Sequence, residues 1–334
     1  MTQFVRLADV WRGPAVESVH HGIAVVADAE GKILFSLGDP DFVTFPRSSL
    51  KPFQAIALVE TGAADALGLT EEHVALSCAS HRAEGFQVAL VRDWLGRLGL
   101  RENALACGAD LPRGAADQAA VLRAGGGPSR VFHNCSGKHC GFLSVARRLG
   151  APVAGYQDPE HPTQKLYLET FSELLGRDAT TLLRGTDGCS LPALALSVAD
   201  MARAAARFAA VQVASEPRQA AIRRLQAAMR AYPDHLSGRD QATSKIVRAT
   251  DGRVILKSGA EGFVLGFVPE RGLGIAVKIA DGATRSKMGV LAAIIGRLGL
   301  LDAAATAQLE QDVEDPIRDG NGTLVGRVAI TLDS

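Results

Sequence analysis

A serine and a lysine three residues apart, Ser48 and Lys51, form the pattern with the clearest chemical potential. A lysine that has lost its proton can accept the proton of a serine hydroxyl, which turns that hydroxyl into a nucleophile for acyl transfer. Residues three apart share one face of a helix, so a helix that begins at Ser48 would hold the two side chains together. Ser-x-x-Lys also occurs by chance, as a helix cap followed by a solvated lysine. The interpretation therefore depends on partners elsewhere in the chain.

Two further segments carry hydroxyl, amine and imidazole groups. The first reads Ser-Cys-Ala-Ser-His and brings Ser80 and His81 together at the end of a short apolar stretch. The second reads Lys-Ser-Gly and begins at Lys257, on a strand near the C-terminus. If two lysines converge on one pocket, each opposes the charge of the other and burial adds to this effect, so one of them can be neutral at working pH. The sequence thus offers two hydroxyl–amine pairs for one site.

The segment from His133 to Cys140 is crowded with side chains that bind metals. The chain has five cysteines, an odd number, and its N-terminus has no basic region followed by an apolar core. Such cysteines are expected to be thiols or metal ligands rather than a disulfide framework. Spacing alone predicts a zinc set of Cys135, Cys140 and Cys189, with His133 or His139 as a further ligand.

Composition limits the classes of partner and of location. The chain has 334 residues, 47% of them hydrophobic and 22% charged, and its formal net charge is zero. This balance is ordinary for a globular protein, and no basic patch predicts a nucleic-acid partner. No stretch approaches the roughly 20 apolar residues of a membrane span. We therefore expect a cytoplasmic protein.

The elements that must position these groups fall into strands at both ends and helices between them. The predicted strands are Val19–Val26, Lys32–Leu37, Val254–Gly259, Gly262–Val268, Leu273–Ile279 and Thr323–Leu332. The predicted helices are Ser48–Thr61, Glu84–Leu98, Phe142–Leu149, Pro162–Leu175, Leu194–Arg207, Arg218–Ala231 and Thr284–Leu298. The N-terminal hairpin and the C-terminal strands should pair in one mostly antiparallel sheet, with a helical region of about residues 82–250 inserted between them. We predict an α/β fold in a single domain over residues 1–334.

The order of the motifs resembles that of the serine β-lactamase and penicillin-binding superfamily. There, Ser-x-x-Lys opens a helix, a serine motif lies on a loop, and Lys-Thr/Ser-Gly lies on an edge strand. The middle motif departs from the Ser-x-Asn pattern, because His81 follows Ser80. This departure argues against a penicillin substrate, but it does not argue against serine–lysine chemistry.

A closer resemblance is to the rhizobial-type L-asparaginases, which differ from the asparaginases that use a threonine nucleophile. Five separated segments carry the resemblance in one order over nearly the whole chain: Arg47–Gln54, Ser77–His81, His133–His139, Asp187–Cys189 and Lys257–Gly262. The resemblance implies a homodimeric enzyme with a serine-β-lactamase-like fold. It also implies that the enzyme cleaves L-asparagine to L-aspartate and ammonia.

The resemblance assigns roles to single residues as well. Ser48 matches the nucleophile and Lys51 its base, while Ser80 and Lys257 match a second serine–lysine pair. The implied zinc (Zn²⁺) ligands, in place of the cysteine and histidine set, are Cys135, Lys138 and Cys189. Such a site would have two thiolates, one neutral amine and one open position.

Three further residues are candidates for substrate binding. Arg47 either pairs with the α-carboxylate of an amino acid through two hydrogen bonds or is a solvated surface arginine. Asp187 has three possible roles: it binds the α-amino group, it orients Lys138, or it serves only as a turn residue. His81 either contacts the substrate or packs in the interior.

Two other functions fit the same residues. The first is a glutaminase or a β-lactamase-like hydrolase with the same serine and lysine groups; a glutaminase pocket would differ by one methylene, which is worth about 1–3 kcal/mol of discrimination. The second is a zinc-binding regulatory protein that keeps the fold of a hydrolase and releases no ammonia.

Overall fold

The computed structural model describes residues 4–332, which form strands and helices in alternating blocks. The strands are β1 (Val5–Arg12), β2 (Ala15–Asp28), β3 (Ile33–Leu37), β4 (Val43–Thr44), β5 (Arg184–Thr186), β6 (Pro192–Leu194), β7 (Leu196–Ser197), β8 (Ile255–Ser258), β9 (Phe263–Val268), β10 (Leu273–Ile279), β11 (Ile317–Arg318) and β12 (Leu324–Ile330). The helices are α1 (Lys51–Gln54), α2 (Ile56–Glu60), α3 (Ala63–Ala66), α4 (Glu71–Ser77), α5 (Gly85–Arg97), α6 (Ala115–Arg123), α7 (Ser136–Arg148), α8 (Pro162–Leu175), α9 (Val198–Ala210), α10 (Glu216–Ala231), α11 (Pro233–Ser237), α12 (Ala242–Ala249), α13 (Lys287–Arg297) and α14 (Ala303–Asp312).

These elements build two compact units. The first, called here the sheet unit, consists of the chain up to Ser49, the segment Ala195–Gln212 and the chain from Asp240 onward. The second, called here the helical unit, consists of Leu50–Leu194 and Val213–Arg239. Among residues 4–332, no helix is both long enough and apolar enough to cross a membrane.

The main sheet of the sheet unit is antiparallel and is made from both ends of the chain. Its strand order is β11-β12-β1-β2-β10-β9-β8, and β3 also pairs with β2. The N-terminal hairpin joins the C-terminal strands through β2 and β10, with Val26 opposite Ile275. The prediction of an α/β protein with a mostly antiparallel sheet from the N- and C-terminal strands is confirmed.

Alternation along β10 explains how helices cover both faces of this sheet. Ile275 and Val277 belong to the core that includes residues of α12 and α13. Gly274 points to the opposite face, where α9 packs. A Cβ atom at Gly274 would lie 2.1 Å from the carbonyl oxygen of Ala202. The close approach of α9 to the sheet therefore requires glycine at this position.

The helical unit is organised around α7, whose residues from Ser136 to Ala146 are all buried. A Cβ atom at Gly137 would lie 2.5 Å from the carbonyl oxygen of Leu76, so α7 and α4 touch through their backbones. On another side, the indole nitrogen of Trp94 donates to Ser144 Oγ at 2.9 Å. These contacts hold the start of α7 close to the end of α4. Candidate residues of this unit lie at these two helix ends.

The predicted helix Ser48–Thr61 is wrong in its first turns. Residues Arg47–Leu50 form a 3₁₀ turn, the α-helix begins only at Lys51, and it is interrupted before α2. The N-cap of α1 is Leu50, which makes no side-chain cap, so neither Ser48 nor Ser49 caps this helix. Pro52 lies in the first turn of α1, and Gly62, with φ of 73°, follows α2.

Other boundaries moved because tertiary packing extended or replaced a local pattern. The apolar stretch after Thr70 is part of the helix α4, whose N-terminus forms a capping box between Thr70 and His73. Helix α7 begins at Ser136, six residues before its predicted start at Phe142. Helix α8 matches its prediction at both ends, with a proline in its first turn and Gly176 at its C-cap.

Candidate active site

Lys51 is the centre of the candidate site in the helical unit. Its side chain is fully buried. The ammonium nitrogen donates to the carbonyl oxygen of Ala79 at 2.5 Å and to Ser80 Oγ at 3.0 Å. Both acceptors follow directly from α4, which ends at Ser77. As the sequence predicted, Ser80 lies just beyond the end of the apolar stretch, and there it meets Lys51.

The surroundings of Lys51 favour its neutral form. Burial lowers the pKa of the Lys51 ammonium, because a charge is poorly solvated there, and the nearby charge of Lys138 lowers it further. The thiols of Cys135 and Cys189 act in the opposite direction, and Cys135 is also hydrogen-bonded to Lys51. The net shift is downward, so this amine can act as a base at a lower pH than a solvated lysine.

His81 is locked by the protein on both sides of its ring. The N–H of Ala83 donates to Nδ1 at 3.1 Å, so the ring proton is on Nε2, which donates to Ser136 Oγ at 2.8 Å. The Ser136 hydroxyl in turn donates a hydrogen bond to the carbonyl oxygen of Val131 at 3.1 Å. Burial, together with the charge of Lys51, lowers the pKa of His81 to about 3. His81 is thus a neutral, fully buried ring that ties α7 to the segment after α4.

Two cysteines and a lysine converge where α7 begins. Cys135 is the N-cap residue of α7, and Lys138 follows one turn later on the same helix. Cys189 lies in the tight turn between β5 and β6 and is hydrogen-bonded to Cys135. Lys138 Nζ lies 2.9 Å from Cys189 Sγ. All three side chains are buried. The three residues that the resemblance selected are therefore brought together.

Cys135 and Cys189 shift each other's pKa in opposite directions. The Cys189 thiol donates to Cys135, and this hydrogen bond lowers the pKa of Cys135 and raises that of Cys189. The positive charges of Lys51 and Lys138 also favour the Cys135 thiolate. Burial alone would lower the pKa of Lys138, but the charges of Cys189, Cys135 and Asp187 outweigh it and raise the pKa. The surroundings of the cluster therefore favour the thiolate form of Cys135.

The zinc set that spacing alone predicted is wrong. Within residues 4–332, no three side chains of histidine, cysteine, aspartate or glutamate are grouped so that they could hold a metal ion. His139 instead pairs through Nδ1 with the hydroxyl of Tyr156 at 2.5 Å. His133 accepts the N–H of Cys135 at 3.1 Å. These two histidines support the start of α7.

Asp187 occupies the turn that carries Cys189. Its carboxylate accepts the N–H of Gly188 at 2.6 Å, and its own N–H donates to the carbonyl oxygen of Leu191 at 2.8 Å. Ser190 in the same turn has φ of 70°, a left-handed backbone that side chains other than glycine rarely adopt. The tight turn predicted here is confirmed, and Asp187 adds negative charge near Lys138.

In the sheet unit, Lys257 lies beside residues 46–49, called here the serine-bearing turn. Lys257 is buried on β8, and its ammonium donates to the carbonyl oxygen of Ser258 at 2.5 Å. Its own carbonyl oxygen accepts Ser49 Oγ at 3.1 Å. A Cβ atom at Gly259 would lie 2.4 Å from the carbonyl oxygen of Pro46 and 2.6 Å from Ser49 Oγ. The Lys-Ser-Gly motif therefore requires its glycine for contact with this turn.

The turn itself is strained at the residue before Ser48. Arg47 has φ of 54°, in the left-handed region, and Ser48 follows it in the 3₁₀ turn that leads to Lys51. Such backbone costs about 1–3 kcal/mol for a residue with a side chain and persists only where the surroundings enforce it. Here the turn is held by the hydrogen bond of Ser49 to β8 and by the close contact of Pro46 with Gly259.

The chemistry available to these groups is acyl transfer. A buried lysine with a lowered pKa beside a serine hydroxyl can move the proton that a nucleophile must lose. Sequence reasoning missed the partner of this lysine, the hydrogen bond from Lys51 to Ser80, and it missed Ser136 as the partner of His81. The crowded segment around Cys135 was the only signal for Ser136.

Comparison with known families shows where this arrangement belongs. Residues 8–330 match the family described as L-asparaginase II. The chain belongs to that family. The match spans every candidate residue named above. No curated protein matches the chain significantly.

Solved structures of three other proteins are similar to this chain. The structure of Mglu in its glutamate form has 17% identity over 84% of this chain and 61% of its own, with a TM-score of 0.46. A β-lactamase from Mycobacterium bovis has 16% identity over 86% and 96% of the two chains, with a TM-score of 0.44. A Bacillus glutaminase has 12% identity over 84% and 91%, with a TM-score of 0.39. This chain spans about three-fifths of the length of Mglu, and these distant likenesses carry no inference about activity.

Proposed function

We propose that the protein is an amidohydrolase that converts L-asparagine and water to L-aspartate and ammonia through a serine acyl-enzyme. The observation that carries the proposal is the hydrogen bond between fully buried Lys51 and Ser80 in a member of the L-asparaginase II family. A solvated lysine is a cation at neutral pH and cannot take a proton. Burial lowers the pKa of Lys51, which makes the amine available as a base.

In the proposed reaction, Ser48 Oγ attacks the side-chain amide carbon and Lys51 takes the hydroxyl proton. The tetrahedral intermediate collapses when the lysine returns this proton to the departing nitrogen, which leaves as ammonia. Water then attacks the acyl-enzyme, and the hydroxyl of Ser48 is regenerated. The family resemblance assigns Ser80 and Lys257 to a second pair, and we propose Ser80 as a relay because Lys51 already donates to its oxygen.

Arg47 and Asp187 are the proposed contacts of the charged ends of the substrate. Arg47 would pair with the α-carboxylate and Asp187 with the α-amino group, since each has the opposite charge. His81 has both ring nitrogens engaged, so its proposed role is to hold the segment after α4 in place. A change at His81 would then act through Ser80.

We further propose that Cys135, Lys138 and Cys189 bind Zn²⁺. The residues fit the ion: two thiols and one amine already converge, with Lys138 Nζ 2.9 Å from Cys189 Sγ, and sulfur and nitrogen are ligands that zinc prefers. Binding of zinc would require these three groups to lose their protons. When bound, it would supply a Lewis acid that can polarise a substrate carbonyl.

The test is ammonia release from L-asparagine and L-glutamine, with β-lactam ring opening measured in parallel. The proposal expects turnover of asparagine, slower turnover of glutamine and no ring opening. If glutamine or the β-lactam were the preferred substrate, the proposed substrate would be wrong, but the proposed serine–lysine mechanism would stand. Zinc content without ammonia release from either amino acid would favour the regulatory protein.

The homodimer implied by the family resemblance stays part of the proposal. Light scattering coupled to size-exclusion chromatography should give twice the chain mass of 35.0 kDa. A mass of one chain for active enzyme would remove the dimer from this account.

A further inference from the structure

Two buried lysines that have no place in the proposed reaction hold the turn next to Lys257. Lys278 is on β10 and Lys287 is the first residue of α13, and both side chains are almost completely buried. Burial of an ammonium is costly unless its hydrogen bonds are satisfied. Both ammonium groups are directed at backbone carbonyls of residues 259–261. Residues 259–262, called here the β8–β9 turn, connect the two strands.

The contacts are specific. Lys287 Nζ donates to the carbonyl oxygen of Gly259 at 2.8 Å. Lys278 Nζ donates to the carbonyl oxygen of Glu261 at 2.6 Å and to that of Ile279 at 2.7 Å. The N–H of Gly259 is also engaged, with the carbonyl oxygen of Phe263 at 2.8 Å. Both polar backbone groups of Gly259 are therefore fixed.

The β8–β9 turn needs such support because its backbone is unusual. Glu261 has φ of 54° and Gly262 has φ of 66°, so two consecutive residues are left-handed. The strain at Glu261 persists only where neighbouring groups enforce it. The lysine contact at the Glu261 carbonyl is one such group.

Lys287 is itself held by the start of α13. Glu314 accepts the N–H of Ser286 at 3.0 Å and that of Gly289 at 3.1 Å, so its carboxylate occupies the N-terminal end of the helix. Ser286, just before Lys287, has φ of 70° and is fully buried. The first residue of α13 is thus placed by contacts on both of its sides.

A displacement of Gly259 would reach the serine-bearing turn directly. A Cβ atom at Gly259 would already overlap with the carbonyl oxygen of Pro46 and with Ser49 Oγ, so the two backbones are in contact. Ser49 in turn donates to the carbonyl oxygen of Lys257. The β8–β9 turn, Lys257 and the residues next to Ser48 are therefore in direct contact.

We propose that Lys287 and Lys278 are positioning residues, whose ammonium groups hold the β8–β9 turn so that Lys257 and the turn carrying Ser48 keep their reactive arrangement. Neither lysine touches the substrate in this account. The effect on turnover rests on the proposed function, whereas the effect on the mobility of the turn does not.

The experiment compares Lys287→Met and Lys287→Arg with the wild-type protein. Hydrogen–deuterium exchange of peptides that cover residues 258–263 reports the mobility of the turn, and kcat and KM for asparagine report the reaction. Lys245→Met is the matched control, because Lys245 is a partly exposed lysine of the same unit whose ammonium also donates to a carbonyl, that of Asp312, at 2.7 Å.

Loss of one charged hydrogen bond should speed exchange in the turn of Lys287→Met about tenfold or more. We expect kcat to fall by a similar factor while KM stays within about twofold, since the lysine acts on the arrangement of reactive groups. Lys287→Arg should recover part of both values, and Lys245→Met should change neither.

Unchanged exchange at residues 258–263 in folded Lys287→Met would overturn the proposal, and so would an equal loss of kcat in Lys245→Met. A wild-type protein without asparagine turnover would remove the proposed function, and the exchange result would still decide the role of Lys287. If Lys287→Met does not fold, Lys278→Met takes its place. The same increase in exchange is then expected, and its absence overturns the proposal.

Discussion

Lys51 Nζ lies 3.0 Å from Ser80 Oγ, although the two residues are 29 positions apart in the chain. The same lysine is three positions from Ser48 along the chain, in the helix that follows the 3₁₀ turn. Lys51 is therefore part of the Ser-x-x-Lys motif by sequence and contacts Ser80 of the second serine segment through a hydrogen bond. In this arrangement a proton can pass between Lys51 and Ser80 without large movement of either side chain.

Replacement of Lys51 by arginine distinguishes two possible roles of this residue, that of a base and that of a permanent positive charge. An arginine keeps the positive charge and donates hydrogen bonds, but it does not lose its proton in proteins. We expect Lys51→Arg and Lys51→Met both to lower kcat/KM for asparagine about a thousandfold or more. Steady-state ammonia release measures the loss, and circular dichroism checks the fold.

Substantial activity in Lys51→Arg would show that the lysine serves as a cation and not as a base. The double variant Lys51→Met with Ser80→Ala should be no slower than the slower of the two single variants, because members of one catalytic unit are strongly non-additive. Multiplicative losses would mean that the two residues act separately.

His81 should make the fold sensitive to acid. Its pKa in the fold is about 3, below the usual value of about 6.5, so between these limits the unfolded chain binds the extra proton. The contribution of His81 is fully present above about pH 6.5 and is lost as the pH falls toward 3, by at most about 1.4 kcal/mol per pH unit. Denaturant unfolding at several pH values measures this slope.

The matched comparison is His81→Gln with His21→Gln, since His21 is exposed on β2. The His81 variant should have a shallower decline of unfolding free energy between pH 6.5 and 4 than the wild-type protein, and the His21 variant should follow the wild type. Identical slopes in all three proteins would contradict the assignment of a neutral, buried His81.

Zinc content tests the cluster of two cysteines and a lysine. Purified protein should carry about one zinc per chain, and Cys135→Ser, Cys189→Ser and Lys138→Ala should each lower the content. Cys140→Ser is the control, because Cys140 is a fully buried cysteine of the same helix outside the cluster. Elemental analysis that finds the loss in Cys140→Ser, or finds no zinc in protein never exposed to chelator, would contradict the site.

Two glycine-to-alanine changes inside helices should have opposite signs. In α7, a Cβ atom at Gly137 would lie 2.5 Å from the carbonyl oxygen of Leu76, so Gly137→Ala must push α7 from α4 and should cost about 1–3 kcal/mol. In α5, Gly96 has open space around it, so Gly96→Ala should stabilise the protein by about 0.5–1 kcal/mol. Denaturant unfolding measures both, and equal effects would show that helix propensity, not the close contact, decides them.

Local signals predicted the elements whose patterns are self-contained. Helix α8 has a proline in its first turn and a glycine at its C-cap, and strands β9 and β10 are short apolar runs bounded by turn residues. These features act within a few residues, so the sequence alone reveals them. The pairing of β2 with β10 followed from strands at both ends of one chain.

The site depends on contacts that local patterns do not contain. Helix α7 begins at Ser136, so Cys135 and Lys138, three positions apart, lie on one face, while Cys140 is rotated by about 140° from Cys135. With a predicted start at Phe142 this geometry was invisible, and spacing wrongly favoured Cys140. The Lys51–Ser80 bond likewise depends on how the end of α4 packs, which no spacing rule predicts.

The most direct test of the central claim is identification of the acylated serine. Protein mixed with asparagine in acid-quenched flow should yield a covalent aspartyl ester, and peptide mass spectrometry should find it on Ser48. Ser48→Ala should abolish both the ester and ammonia release, while Ser80→Ala should be slowed but still form the ester on Ser48. An ester on Ser80, or ammonia release that persists in Ser48→Ala, would contradict the account.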